Sequence, residues 1–228
     1  KDFLTGMYGY LLLMEGDYDL EPALTQWGKV FRLTEVGHKP FPSGRLTHFA
    51  VDALQRLVAE HAFSADDVTE VECYVPPLAN RLVGRPDIPN PEPNYAKLCL
   101  GYVCATTLIK GVVGQTDFLP AALNDSATHD LAKRIIVIED DNPDVNAFGP
   151  QKISVTLKNG TRYCLSIENA IGDPRNPLSR DRQLDKFWTC WDSAASALSR
   201  NNGESLIAAI DTLETLKDTA QLTTLMCP

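Results

Sequence analysis

Gln151-Lys-Ile-Ser-Val-Thr-Leu-Lys-Asn-Gly-Thr-Arg-Tyr-Cys-Leu-Ser-Ile167 decides the fold class. Two β-rich runs flank Lys158-Asn-Gly160, and Asn-Gly between such runs favours the positive φ of a type I′ hairpin turn. This strand pair is therefore antiparallel. Upstream, Val68–Val75 alternates as a strand closed by Pro76-Pro77, and Arg134-Ile-Ile-Val-Ile138 is a β-branched strand. Val30, Arg32, Thr34 and Val36 alternate with Phe31, Leu33 and Glu35, which predicts a further strand ending near Gly37.

Helices lie between these strands. Leu46, Ala50, Ala53, Leu54, Leu57 and His61 recur at three and four, the period of a helix laid on a sheet. A helix over residues 95–110 places Leu98, Cys99, Tyr102, Val103, Thr106 and Ile109 on one face and stops at Gly111. A shorter one covers residues 128–133, with Thr128 as its cap. Past the turn chemistry of Gly172-Asp-Pro and Asn176-Pro-Leu-Ser179 the composition becomes helical, with helices over 184–198 and 204–216 separated by Asn201-Asn-Gly203. At the other end an apolar stretch, a Gly16-Asp17 turn and a short helix over 20–27 ended by Gly28 precede the first strand. The fold class is α+β, a small mixed or antiparallel sheet with helices on one face, flanked by helical segments.

Of 228 residues, 21 are basic and 30 acidic, and the net charge of -9 repels nucleic acid and anionic membranes over most of the surface. An anionic ligand needs a local basic pocket. No apolar run reaches the roughly 20 residues of a membrane span. The six cysteines form no CxxC pair and have no histidines at zinc spacing; most sit in apolar stretches, as core residues of a protein in a reducing cytosol. No secretory signal pattern is seen at Lys1-Asp-Phe-Leu-Thr-Gly6. The acids Glu139, Asp140, Asp141 and Asp144 read as a solvated loop rather than a metal site. Nucleotide, zinc-protease and serine-hydrolase motifs are absent.

The chemistry concentrates in Lys39-Pro-Phe-Pro-Ser-Gly-Arg-Leu-Thr-His48. Chemistry beside a carboxylate needs cations to hold charge developing on an enolate-like intermediate, and a group to move a proton. Lys39, Arg45 and His48 supply those types, and Pro40 and Pro42 fix φ along the connection. His48 falls opposite the apolar stripe of its helix, so core packing does not account for it. The alternative is that Lys39 and Arg45 are solvated charges and His48 a helix-start residue. Tyr102 is either a proton carrier or a packed ring with its tip at a rim. His38 reads as structural, His61 as packed and His129 as exposed. Residues 76–93 hold six of the chain's 15 prolines and read as a loop that covers a pocket or docks a partner.

Together with Tyr102-Val-Cys-Ala105, the Lys158-Asn-Gly160 hairpin, Gly172-Asp-Pro-Arg-Asn-Pro177 and Lys186-Phe187, the Lys39 segment resembles the MmgE/PrpD family. That family includes 2-methylcitrate dehydratases and cis-aconitate decarboxylases. The resemblance implies two-domain homodimers that work without metal or cofactor, each with a helical domain and an α+β lid. On this basis residues 1–38 are the end of the helical domain and its connection, 39–180 the lid, and 181–228 helices returning to the helical domain. Lys39 and Tyr102 are the implied catalytic residues, with Ser43, Arg45 and His48 binding substrate. Decarboxylases of the family have a catalytic histidine five residues after the lysine, where this chain has Gly44. The expected function is the C-terminal part of a cytoplasmic, cofactor-independent lyase or isomerase acting on a small di- or tricarboxylate, a 2-methylcitrate dehydratase-like homodimer of propionate metabolism. Half its active site lies elsewhere, so the chain alone is inactive. The alternative is a non-enzymatic module that binds an anionic metabolite or a partner chain through the same basic residues.

Overall fold

The computed structural model describes residues 3–16 and 18–227. The chain forms two compact units, residues 1–36 and 37–228. In the first, α1 (Tyr10–Glu15) ends at Gly16, whose φ of 74° closes the last turn, and α2 (Glu21–Thr25) carries Pro22 in its first turn. Asp17, the other half of the expected turn, lies outside the described residues. Gly28, at φ 74°, follows α2 as the composition predicts. Residues 30–36 form no strand: Arg32–Glu35 is a 3-10 turn closed by an Arg32–Glu35 ion pair of 2.7 Å. The alternation was one of residue type alone, and Val30, Phe31, Leu33 and Val36 all stay exposed.

The second unit holds the sheet. Its strands are β1 (Val68–Val75), β2 (Ile135–Glu139), β3 (Gln151–Leu157) and β4 (Arg162–Ile167), in the order β2-β1-β3-β4. β1 runs parallel to β2 and antiparallel to β3, and β3 is antiparallel to β4. The sheet is thus mixed and the fold α+β. The β3–β4 hairpin forms where expected, but not on a type I′ turn. Only Gly160 takes positive φ, 83°, and Gly160 N donates to Leu157 O at 2.9 Å. A three-residue loop with a left-handed glycine fits that pattern.

One face of the sheet is buried, with Val71, Cys73, Val75, Ile153, Val155 and Ile167 in the core. The other is polar, where Arg162 pairs with Glu72 and Lys152 lies 5.7 Å from the centre of the Tyr74 ring. α3 (His48–His61) packs on β3 and β4, and α6 (Leu100–Lys110) packs on β2 and against α3. α6 is buried nearly all round from Leu100 to Leu108, while Ile109, expected on its packed face, is 40% exposed. The predicted helix over 95–110 is broken, with α5 (Pro93–Ala96) preceding α6.

The β1-to-β2 crossover also carries α4 (Pro77–Val83), α7 (Pro120–Leu123) and α8 (Ser126–Ala132). The proline-rich segment is therefore helical in its first half, because Pro77 sits where a helix tolerates it. Its remainder is fastened: Tyr95 Oη donates to Pro86 O at 2.8 Å, and Asp87 meets His129 Nδ1 at 2.8 Å. His129 is thereby largely enclosed rather than exposed. α8 is capped by Asp125, not Thr128; Thr128 N and Oγ1 both donate to the Asp125 carboxylate.

α9 (Arg180–Asp192), α10 (Arg200–Asp211) and α11 (Ala220–Leu225) complete the chain. Asn201-Asn-Gly203 lies inside α10 and does not separate two helices. Gly203 is there because a Cβ would meet the Trp188 ring at 2.6 Å. The Arg200 guanidinium also lies over that ring, 3.4 Å from its centre. No helix among the described residues is long and apolar enough to cross a membrane.

Candidate functional site

The turn carrying Lys39 is held from three sides. At its base, His38 N donates to Gly172 O at 2.7 Å. Gly172 has φ 86°, and a Cβ there would fall 1.8 Å from His38 O, so only glycine permits this approach. In the middle, Gly44 N donates to Lys97 O at 2.8 Å. That carbonyl is free because the helix breaks between α5 and α6. At the far end, Arg45 Nη2 donates to Asp173 Oδ2 at 2.8 Å, and Asp173 also accepts from Arg175 Nε at 3.0 Å. The neighbouring arginines hold the Asp173 carboxyl below its ordinary range, the Arg175 hydrogen bonds most of all. A parallel brace joins α3 to the turn over residues 172–177. Buried Asp52 accepts two hydrogen bonds from Arg56, at 2.9 and 2.7 Å, and one from Asn176 at 3.5 Å.

Within this frame Lys39 is exposed and makes no hydrogen bond or ion pair among the described residues. The Ser43 and Thr47 hydroxyls are buried and 2.8 Å apart, and Thr47 donates to Gly44 O. Both serve the loop rather than opening onto solvent. His48 is 1% exposed, which corrects its placement on an open helix face. α3 is buried on two sides, against the sheet and against a second apolar cluster containing Phe41, Val51 and Tyr102. The His48 ring meets Phe41 edge-on at 5.3 Å, and its Nε2 has no hydrogen-bond partner. Burial, then the charges of Lys39 and Arg45, lower its pKa to about 4 against the backbone pull of Ser43 and Phe41. His48 is a neutral imidazole that reaches no solvent.

Tyr102 is likewise sealed, at 1% exposure. Its hydroxyl donates to Asp117 O at 2.7 Å and approaches Ala122 O at 3.2 Å. Burial, reinforced by the Asp117 charge, pushes its pKa up to about 12. The expectation that it faces a substrate is not met in this conformation, because both neighbouring carbonyls claim the hydroxyl. The structure therefore gathers Lys39, Ser43, Arg45 and His48 on one turn and leaves Tyr102 beneath it in the apolar cluster.

A pocket of about 270 Å³ adjoins the turn. Pro40, Phe41 and Pro42 form one wall, Val113 and Gly114 another, and α9 the third, through Arg182, Asp185, Lys186 and Cys190. Sequence reading quoted Lys186 without assigning it a site and overlooked Arg182. Their spacing of four on one helix was the available signal. A second pocket, of about 270 Å³, lies beside the Arg45–Asp173 pair and is lined by Arg175, Glu168 and Asp144. Among the described residues no group of three or more His, Cys, Asp or Glu side chains is placed to hold a metal ion.

The family model of the MmgE/PrpD C-terminal domain matches residues 41–213. Cis-aconitate decarboxylase of Mus musculus is 31% identical over 199 residues, 84% of this chain and 39% of that protein. Cis-aconitate decarboxylase of Homo sapiens is 29% identical over 212 residues, 90% of this chain and 42% of that protein. The chain thus spans about two-fifths of the length of these curated relatives. The match takes in the Pro-X-Pro turn from Phe41, the sheet, the Gly172-Asp173 brace and α9, and the chain belongs to the MmgE/PrpD family.

Proposed function

We propose that this chain is the C-terminal, lid-forming part of a cofactor-independent lyase acting on a small di- or tricarboxylate, of the 2-methylcitrate dehydratase type. Lys39 carries this reading: it is an exposed ammonium without a carboxylate partner among the described residues, on a turn anchored at both ends and in the middle. In a dehydration, a base takes the proton next to a carboxylate and the electron pair spreads onto that carboxylate. The β-hydroxyl then leaves as water after gaining a proton, and a carbon–carbon double bond remains. A fixed cation beside the carboxylate opposes the charge that builds up, which is where such a group lowers a barrier most. The proton-moving groups belong to the rest of the enzyme, since His48 and Tyr102 are both enclosed.

Gly44 favours dehydration over decarboxylation. A histidine at this position is what the decarboxylases of the family are expected to use, and here a Cβ would stand 2.8 Å from Leu98 Cδ2.

The test is an ultraviolet assay for unsaturated product from 2-methylcitrate, with carbon dioxide release from cis-aconitate measured in parallel. It uses the complete gene product, its Lys39→Ala variant and this chain alone. Dehydration by the complete protein, abolished by Lys39→Ala and absent from the isolated chain, is the expected result. Turnover that survives Lys39→Ala would sink the reading.

A further inference from the structure

We propose that the pocket between the Pro40–Pro42 turn and α9 binds a small carboxylate through Lys186 and Arg182. The proposal rests on the reading above for the class of ligand, and assigns it a place and two further cations.

Arg182 and Lys186 sit four apart on the face of α9 that lines the pocket. Like charges at that spacing destabilise a helix, so the arrangement carries a cost that a bound anion would remove. Neither cation has a carboxylate partner among the described residues. Arg182 Nη2 donates to Gln55 Oε1 at 3.0 Å, and Lys186 Nζ to Cys190 Sγ at 3.2 Å. Asp185 is the single acid of the lining and pairs with neither. Most other arginines of this unit are engaged: Arg45, Arg56, Arg162, Arg175, Arg180 and Arg200 all meet carboxylates.

The remaining surface suits the body of such a ligand. Pro40, Phe41, Val113 and Leu178 are apolar, and Gln55 and Gln115 offer neutral hydrogen bonds. At about 270 Å³ the pocket falls just under the roughly 300 to 1,000 Å³ usual for drug-sized ligands, which fits a small metabolite. In a chain of net charge -9, two unpaired cations against one acid make this a local basic pocket. Pro40 links it directly to Lys39, so a di- or tricarboxylate held there has a third cation one residue away in the chain.

The probe is tricarballylate, a tricarboxylate with no hydroxyl to lose, titrated calorimetrically into this chain. Binding should weaken about tenfold or more in Lys186→Met and in Arg182→Met, a loss of a charged partner. Independently, saturating tricarballylate should slow iodoacetamide alkylation of Cys190, which lines the pocket, and leave the exposed Cys164 and Cys227 unchanged. No binding, unaltered affinity in both α9 variants, or Cys190 labelling indifferent to tricarballylate overturns the proposal. If Lys39→Met alone abolishes binding, the pocket falls and the Lys39 reading stands. If tricarballylate protects Cys190 while the complete enzyme fails to dehydrate 2-methylcitrate, the pocket stands and the lyase reading falls.

Discussion

Arg45 and Asp173 lie 128 positions apart in the chain and meet through an Nη2–Oδ2 hydrogen bond of 2.8 Å. The bond joins the segment that presents Lys39 to the turn where the sheet layer ends. Arg45 is partly exposed, so solvent screens the pair and its coupling in a double-mutant cycle with Arg45→Gln and Asp173→Asn should be about 1 kcal/mol. Urea unfolding of the four proteins measures it; additive losses would show that the two side chains act separately.

Gly172→Ala should be the most damaging single change in this region. The added methyl meets His38 O at 1.8 Å on a backbone of φ 86°, so either the turn or the Lys39 segment must move. A loss of at least about 2 kcal/mol is expected from clash and strain combined. An unfolding midpoint within error of wild type would refute the close approach.

Acid should weaken this protein through His48. Its folded pKa of about 4 lies below the 6.5 of the open chain, so its contribution is complete above pH 6.5 and is lost as pH falls towards 4. At 1.36 kcal/mol per unit this amounts to about 3 kcal/mol. Lys39 and Arg45 are the charged groups that oppose its protonation. His48→Leu should flatten the loss between pH 6.5 and 4.5 in urea titrations; an unchanged slope would assign the acid response elsewhere.

His129 should act in the opposite sense. Burial lowers its pKa, but the Leu123 carbonyl and the Asp87 carboxylate more than offset this, and the net shift is upward. Its contribution is present below the unfolded value and is lost as pH rises through the raised folded value. Nδ1 meets Asp87 at 2.8 Å and Nε2 meets Leu123 O at 2.9 Å, so the ring clamps the proline-rich segment to α7 only when doubly protonated. Hydrogen exchange at residues 84–92 should quicken as pH rises beyond the intrinsic base catalysis, and His129→Gln should remove that excess.

Lys39→Ala should leave the unfolding free energy from urea titration within about 0.5 kcal/mol of wild type, as expected for a surface side chain with no bonded partner among the described residues. A larger loss would make Lys39 part of the scaffold rather than a contact group.

The sheet was legible because strand periodicity coincided with burial. Val68, Val71, Cys73 and Val75 face the core, and β1 has the bounds its alternation suggests. The same pattern failed at residues 30–36, where no strand among the described residues supplies hydrogen bonds and an i,i+3 ion pair favours a tight turn. Local chemistry also could not show that Gly203 yields space to Trp188, since their contact joins two helices. For the site, the cluster on residues 39–48 was readable from charge and proline spacing. The burial of His48 was not, because a helix with one apolar stripe gives no sign of a second covered face. The role of Gly172-Asp173 escaped composition for the same reason: its partners, His38 and Arg45, are distant in sequence.

The hydrogen bond from His38 N to Gly172 O brings together the points where the chain enters and leaves the α+β layer. Everything between them is a ring of covalent chain whose ends are closed by this backbone stitch, with the Arg45–Asp173 pair beside it. Such a ring can be opened at the exposed hairpin tip near Gly160 and rejoined across the stitch, so this layer is a natural subject for circular permutation. It also means that a pull on either strand of the stitch is delivered to Lys39 without travelling through the sheet.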